Sequence, residues 1–242
     1  MDTLPLSGRV AWWGTALLRG SVAPDDFLDV VLAGHVAHVL ARTGPDGPGS
    51  LLEALMTARL DGAWAVGAAF PDPGDPVALG GPRDLTSAAL DAGEVVVAIG
   101  ADVAWVPREV GRAVEWQAYD ARRRTPPDLG DADRLLRAAL LGAANRLAVL
   151  DVARWRPEVA DALHDLRAGD AVRAPAGVPA RAVDLARRAL HLQEVVDLAL
   201  DSEGAAVSAG EIAARRAALL PLGTAARHAL TAACSPDGWP DG

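Results

Sequence analysis

The sequence predicts an α/β protein, with a mainly parallel sheet of about 4–6 strands in the N-terminal half and an all-helical C-terminal half. Up to about residue 120, short apolar runs alternate with helical patterns, which is typical of a parallel sheet covered on both faces. Beyond an Arg- and Pro-rich segment at 122–128, apolar residues recur only at helical spacing. With 242 residues, the chain is long enough for one large domain or two small ones.

Four apolar runs are predicted as strands: residues 10–18, 36–41, 63–70 and 94–99. The first contains Trp12 and Trp13, which suits a strand buried on both faces. The last has the continuous Val run of a buried parallel strand. Residues 113–119 alternate apolar with polar side chains, as an edge or antiparallel strand does.

Helix-start signals lie between these strands. Pro24 is followed by two Asp, which favours a helix because Pro fits the first turn and acidic groups stabilise the positive end of the helix dipole. Ser50 and Glu53 have the spacing of a capping box, which predicts a helix through residue 60. A third helix is predicted over 83–92.

The segment 122–128 is predicted to be a solvated connector, with an anion or peptide-binding patch as the alternative. We therefore predict an α/β domain at 1–124, a helical domain at 125–235 and a flexible tail at 236–242. Apolar stripes predict helices along the second domain, one beginning at Pro157, one capped by Ser208 and one capped by Thr224.

Composition excludes several classes of function. All 23 basic residues are Arg, so a Walker A loop and Schiff-base chemistry, which need Lys, are excluded. The first 120 residues hold 7 of the 23 Arg and 16 of the 32 acidic residues, so the net charge of −9 lies on that half and nucleic acid is an unfavourable partner. Cys234 is the single cysteine, and no apolar run reaches the length of a membrane helix, so we expect a cytoplasmic protein without a membrane partner.

No motif identifies a metal, a cofactor or a catalytic group. His35 and His38 would point to opposite faces of a strand, so we predict no metal site, and we expect no cofactor. Residues 208–233 have the residue spacing of a helix-turn-helix, with a turn at 220–223. DNA binding is therefore a further alternative.

The most unusual stretch is the loop at 71–82, which lies between a predicted strand and a predicted helix. Gly80 and Gly81 could turn backbone N–H groups towards an anion at the helix start, with Arg83 as the flanking cation. Asp75 and Asp84 complete the candidate site, although their carboxylates would repel the same anion. The alternative is a rigid connector in which the Asp residues cap turns.

The sequence therefore favours a noncatalytic interaction or regulatory protein, and whether it is an enzyme stays open. A protein partner or self-association is expected through the helical half, because Ala-rich helices offer flat apolar faces. The alternative is an enzyme or sensor that binds a small anionic ligand at residues 71–84.

Overall fold

The structure is a computed structural model that describes residues 4–41, 49–122, 124–149, 172–201 and 209–239. Its helices are α1 (Leu6–Leu18), α2 (Pro24–Leu32), α3 (Leu51–Leu60), α4 (Arg83–Ala92), α5 (Leu129–Val149), α6 (Ala180–Asp201), α7 (Ala209–Ala233) and a 3-10 turn at Pro236–Gly238. Its strands are β1 (Ala37–Leu40), β2 (Ala65–Ala69), β3 (Val95–Ile99), β4 (Val103–Val110) and β5 (Ala113–Asp120). The strands therefore lie in the middle of the chain, with helices on both sides of them in sequence.

The predicted mainly parallel sheet is wrong. The five strands lie in the order β1-β5-β4-β3-β2, and only β1 and β5 run parallel. The pairs β2–β3, β3–β4 and β4–β5 are antiparallel. Tight turns impose this arrangement: Gly111, with φ of 61°, begins the two-residue turn that closes the β4–β5 hairpin between Val110 and Ala113. The Val run of β3 is buried because both faces of the sheet are covered at that position.

The apolar run at 10–18 is helical, so its prediction as a strand is wrong. It forms most of α1, in which 12 of the 13 residues are buried. A helix that is apolar all round and a buried strand give the same continuous apolar run, so periodicity could not separate them. Thr15 anchors α1 to β2, because its Oγ1 donates to the Val66 carbonyl and accepts from the Val66 N–H, both at 2.9 Å.

The outer edge of β2 is capped by groups from distant parts of the chain. The N–H of Ala68 donates to the Cys234 carbonyl at 2.8 Å, and the N–H of Phe70 donates to Thr231 Oγ1 at 3.2 Å. The carbonyl of Ala68 accepts from Arg124 Nη1 at 3.2 Å. A free strand edge would template pairing with another chain, and here its groups are already bonded.

Two segments predicted to be solvated or flexible contribute to this edge. Arg124 is buried, unlike a residue of a solvated connector. Residues 236–239 include the 3-10 turn, where Pro236 is buried and Asp237 pairs with Arg124. Trp239 Nε1 donates to the Ala233 carbonyl, which also accepts from Trp12 Nε1. The division of the chain at 124/125 stays a prediction.

The two faces of the sheet are covered differently. One face carries Trp105 and Trp116 and packs into the large core formed by α1, α3 and the C-terminal helices. The other face carries a smaller core, in which Leu85 and Ala89 of α4 pack on Val95, Val97, Ala104 and Val106. Because α4 covers only part of this second face, Gln117 on β5 remains exposed.

The C-terminal part contains one long helix where two were expected. α7 runs unbroken from Ala209 to Ala233 with Pro221 inside it, so the predicted turn at 220–223, the cap at Thr224 and the helix-turn-helix interpretation are wrong. Pro221 lacks the N–H that the Ala217 carbonyl would accept, and Arg146 Nη1 of α5 donates to that carbonyl instead at 3.3 Å. The helix predicted from Pro157 and the cap at Ser208 lie outside the described residues.

Candidate functional site

The structure divides the residues predicted as the anion site. Asp75 faces α7, where His228 Nε2 lies 2.8 Å from Oδ2 and 3.0 Å from Oδ1, and Arg227 Nη2 lies 3.5 Å from Oδ2. Arg227 also pairs with Asp72 at 3.1 Å. The loop is thereby tied to α7 through its carboxylates.

The other predicted residues lie at the start of α4. Gly80 and Gly81 are half-buried, and Arg83 and Asp84 are exposed on the first turn. The left-handed residues of the loop are Gly74 (φ 84°) and Ala78 (φ 55°), not Gly80 or Gly81. Pro82 is the N-cap residue and makes no side-chain cap. Within the described residues, the N–H groups of Gly80 and Gly81 have no protein acceptor.

A more enclosed candidate is a cleft of 720 Å³ at the edge of the sheet, which we call the junction cleft. The end of β3, the β3–β4 turn and Trp64 form one wall, and Arg122, residues 124–126, Asp128 and the 3-10 turn form the other. Among the described residues that line the junction cleft, five are charged: Asp102, Arg122, Arg124, Asp128 and Asp237.

Arg124 is the buried anchor of this cleft, with 3% of its side chain exposed. Its Nη2 donates to Asp237 Oδ1 at 2.9 Å and to Ser235 Oγ at 2.8 Å, and its Nε donates to Asp237 Oδ2 at 3.3 Å. The guanidinium lies on β2 at Gly67, where a Cβ would overlap Nη2. Gly67 is therefore required for Arg124 to reach the strand.

Trp64 is the aromatic wall of the junction cleft. It lies in the run 63–70 that was predicted as a strand, just before β2, and it is 47% exposed. Gly100, with φ of 102°, lies so close that its Cβ would be 3.0 Å from Trp64 Cδ1 and 2.5 Å from the Gly62 carbonyl. The Arg19 guanidinium lies 5.7 Å from the indole centroid and is not among the residues that line the cleft, so one face of the ring carries a cation.

Asp102 and Arg122 provide the unpaired charges. The Ala121 N–H donates to the Asp102 carbonyl at 3.0 Å, so the backbones of Asp102 and Arg122 are neighbours. Both side chains are exposed, and neither has an ion-pair or hydrogen-bond partner among the described residues. Sequence reasoning missed Trp64 and Asp102, and it placed Arg122 and Arg124 together in a connector although only Arg124 is buried.

A second group of titratable residues, the histidine cluster, lies beneath the other end of the sheet: Arg9, His35, His38, Glu94 and Glu109. Its two His rings lie 5.5 Å apart, edge to face. The expectation that they point to opposite faces of a strand is wrong, because β1 begins at Ala37 and His35 precedes it. The part of the chain that the structure describes contains no group of three metal-ligating side chains.

His38 is held neutral. Trp116 Nε1–H donates to its Nδ1 at 3.3 Å, so the ring carries its proton on Nε2, which is buried without a partner among the described residues. Burial, together with the nearby charges of His35 and Arg9, lowers the pKa of His38 to about 4.

Burial also shifts the pKa values of two other residues of the histidine cluster, Glu94 and Arg9. It raises the pKa of Glu94, although the Ser7 N–H, which donates to Oε2 at 2.8 Å, and Arg9 oppose that change. It lowers the pKa of Arg9. Glu94 and Glu109 line a groove of 620 Å³ between α4 and the β4–β5 hairpin, and the ion-paired Arg108 and Glu115 also line it.

Cys234 is not a nucleophile in this state. It is fully buried at the end of α7, and burial raises the pKa of its thiol. In the described part of the chain, no helix combines the length and apolar character needed to cross a bilayer.

Comparison with known proteins matches most of the chain to one family. Residues 7–129 match the family described as Rv1486c-like protein, N-terminal domain, and residues 130–231 match Rv1486c-like protein, C-terminal domain. The chain belongs to the Rv1486c-like family. The two family domains meet at the first turn of α5, beside the junction cleft.

The curated relatives come from Mycobacterium tuberculosis. The chain is 29% identical to "Uncharacterized protein Rv1486c" of strain H37Rv over an alignment 283 positions long, gaps included, which covers 95% of this chain and 96% of the relative. The identity and coverage are the same for "Uncharacterized protein MT1533" of strain CDC 1551. No solved structure matches the chain significantly.

Proposed function

We propose that this protein is a noncatalytic regulatory protein that binds a small molecule in the junction cleft. The observation that carries the proposal is the composition of the cleft walls. Trp64 and Asp102 come from the sheet, whereas Asp237 and Gly238 come from the turn that follows α7. A ligand in contact with both walls would couple the sheet to the C-terminal helices.

The volume and position of the cleft support a small-molecule site. Such sites usually enclose about 300–1,000 Å³ and often lie between domains. The junction cleft, at 720 Å³, is within that range. An exposed indole beside a few polar groups is the usual combination of apolar contact and orienting charge in a binding pocket.

The roles of the charged groups favour binding over chemistry. Arg124 and Asp237 bond to each other, and Asp128 Oδ1 accepts from the Asp131 N–H at the start of α5 at 2.9 Å. These groups stabilise the fold at the cleft. That leaves Asp102 and Arg122 for a ligand, and this pair orients a molecule but does not form a nucleophile with its base.

The test is hydrogen exchange with a panel of small metabolites that covers anions, cations, zwitterions and sugars. A compound that binds the junction cleft should raise the melting temperature and slow exchange of the Ala68 and Phe70 amides, whose acceptors belong to the C-terminal part. The variant Trp64→Leu should abolish both effects, and the control Arg108→Gln in the other groove should keep them. A panel without any such compound, or protection confined to the α4 groove, would refute the proposal.

Anion binding at the start of α4 is the second candidate function. The unpaired Gly80 and Gly81 amides and the exposed Arg83 favour it. Arg227 and His228 also pair with the carboxylate of Asp75, which reduces the repulsion expected from the sequence.

Association through the helical half is a further proposal. Among the described residues, five of the nine exposed large apolar side chains lie on α5, α6 and α7: Leu135, Leu140, Leu141, Leu198 and Leu220. Sedimentation equilibrium of wild-type protein and of Leu141→Gln tests it. A monomeric wild type at high concentration would contradict it.

A further inference from the structure

We propose that the junction cleft binds a small zwitterion that carries a planar apolar group, the chemistry of an aromatic amino acid. In this arrangement the ring lies on Trp64, the carboxylate pairs with Arg122 and the ammonium group pairs with Asp102. The inference rests on the proposed function of the cleft and adds the class of ligand.

The planar group follows from Trp64. An indole that is 47% exposed in the wall of a cleft offers a large apolar surface to an occupant. Arg19, whose guanidinium lies 5.7 Å from the indole centroid, is not among the residues that line the cleft. Flat rings bind such a surface by offset stacking.

The two charges follow from the side chains that are not already paired. The structure uses Arg124, Asp237 and Asp128 internally, as their hydrogen bonds show. Asp102 and Arg122 have neighbouring backbones, yet their side chains form no ion pair with each other. Among the described residues that line the cleft, the charged side chains without a partner are therefore one carboxylate, that of Asp102, and one guanidinium, that of Arg122.

This balance separates the ligand classes. A purely anionic ligand that reaches Arg122 would also meet the carboxylate of Asp102, and a purely cationic ligand would also meet Arg122. A zwitterion satisfies both groups at once, and each charge-assisted hydrogen bond adds to selectivity.

The experiment is a titration of full-length protein, labelled with 15N in its Trp indoles, with three matched compounds. L-Phenylalanine has both charges, 2-phenylethylamine lacks the carboxylate, and 3-phenylpropionate lacks the ammonium group. L-Phenylalanine should move the indole signal of Trp64 at the lowest concentration. The Trp12 signal is the internal control, because its Nε1 donates to the buried Ala233 carbonyl and should not move.

Two variants test the charge assignment. Arg122→Gln should weaken L-phenylalanine binding about tenfold and remove the preference over 2-phenylethylamine, because hydrogen bonds to charged groups contribute at that level. Asp102→Asn should weaken it similarly and remove the preference over 3-phenylpropionate. Both side chains are exposed, so the variants should fold, and an unchanged melting temperature verifies this.

The outcomes separate this inference from the proposed function. AMP and glucose are titrated as two unrelated compounds. If L-phenylalanine does not move the Trp64 signal but AMP or glucose does, the cleft is a binding site and the proposed ligand class is wrong. If the three compounds bind equally, or the variants leave their order unchanged, the ligand class is also wrong. If none of the five compounds moves the Trp64 signal, this inference fails, and the proposed function fails only if the wider metabolite panel is also negative.

Discussion

Acidification should destabilise this protein through a single imidazole. His38 is 6% exposed, and its pKa in the folded protein is about 4, against an ordinary value of 6.5. The unfolded chain therefore binds a proton more readily than the folded protein does. The stability associated with neutral His38 is fully present above pH 6.5 and is lost as the pH falls from 6.5 towards 4.

The size of the effect follows from that interval. Each pH unit between the two pKa values corresponds to about 1.4 kcal/mol for one proton, so acidification to pH 4 should remove about 3 kcal/mol of the free energy of unfolding. Burial is the main cause of the lowered pKa of His38, and the nearby charges of His35 and Arg9 add to it. The Trp116 N–H, which needs an unprotonated Nδ1, acts in the same direction.

Urea denaturation from pH 4 to 7.5 measures this loss. The variant His38→Gln keeps an acceptor for the Trp116 N–H but cannot take up the proton, so its stability should decline less steeply below pH 6.5. Subtraction of the two profiles removes the contribution of Glu94, whose raised pKa acts with the opposite sign. A difference between wild type and His38→Gln that stays constant from pH 6.5 to 4 would refute the reasoning.

Three other changes have defined outcomes. Arg124→Gln should lower the free energy of unfolding by about 3–5 kcal/mol, because it leaves the Asp237 carboxylate without its cation. As a control, Arg134→Gln removes the cation of an exposed ion pair and should cost about 0–1 kcal/mol. Equal losses for the two variants in urea titrations would contradict the buried role of Arg124. Pro221→Ala should stabilise α7 by about 1–3 kcal/mol in the same assay, since it restores an N–H donor inside the helix, and a lower melting temperature would show that the proline is needed. Arg83→Ala should weaken the binding of inorganic phosphate a few fold in calorimetry. If the variant binds phosphate as well as the wild type does, or if the wild type shows no binding, an anion site at the start of α4 is excluded.

The sequence predicted elements well where local chemistry determines them. The helix that begins at Pro24 is confirmed, and so is the capping box, in which Ser50 and Glu53 bond reciprocally. The bounds predicted for α4 match the structure. These signals depend on neighbouring residues only, so one chain was enough to identify them.

Strand direction and the candidate site depend on contacts between distant residues. The sheet was predicted to be parallel because apolar runs alternate with helical patterns, and β4, which pairs with β3 and β5 in two antiparallel hairpins, was not recognised as a strand. The burial of Arg124 depends on Asp237, 113 residues away. The exposure of Trp64 depends on the close approach of Gly62 and Gly100. No local pattern carries this information.

The capped edge of β2 has a consequence for biosynthesis. Thr231, which accepts from the Phe70 N–H, leaves the ribosome 161 residues after Phe70. Until then the growing chain exposes backbone donors that a strand from another nascent chain can pair with. Messages cut short within α7 should therefore give insoluble products even when they encode all five strands.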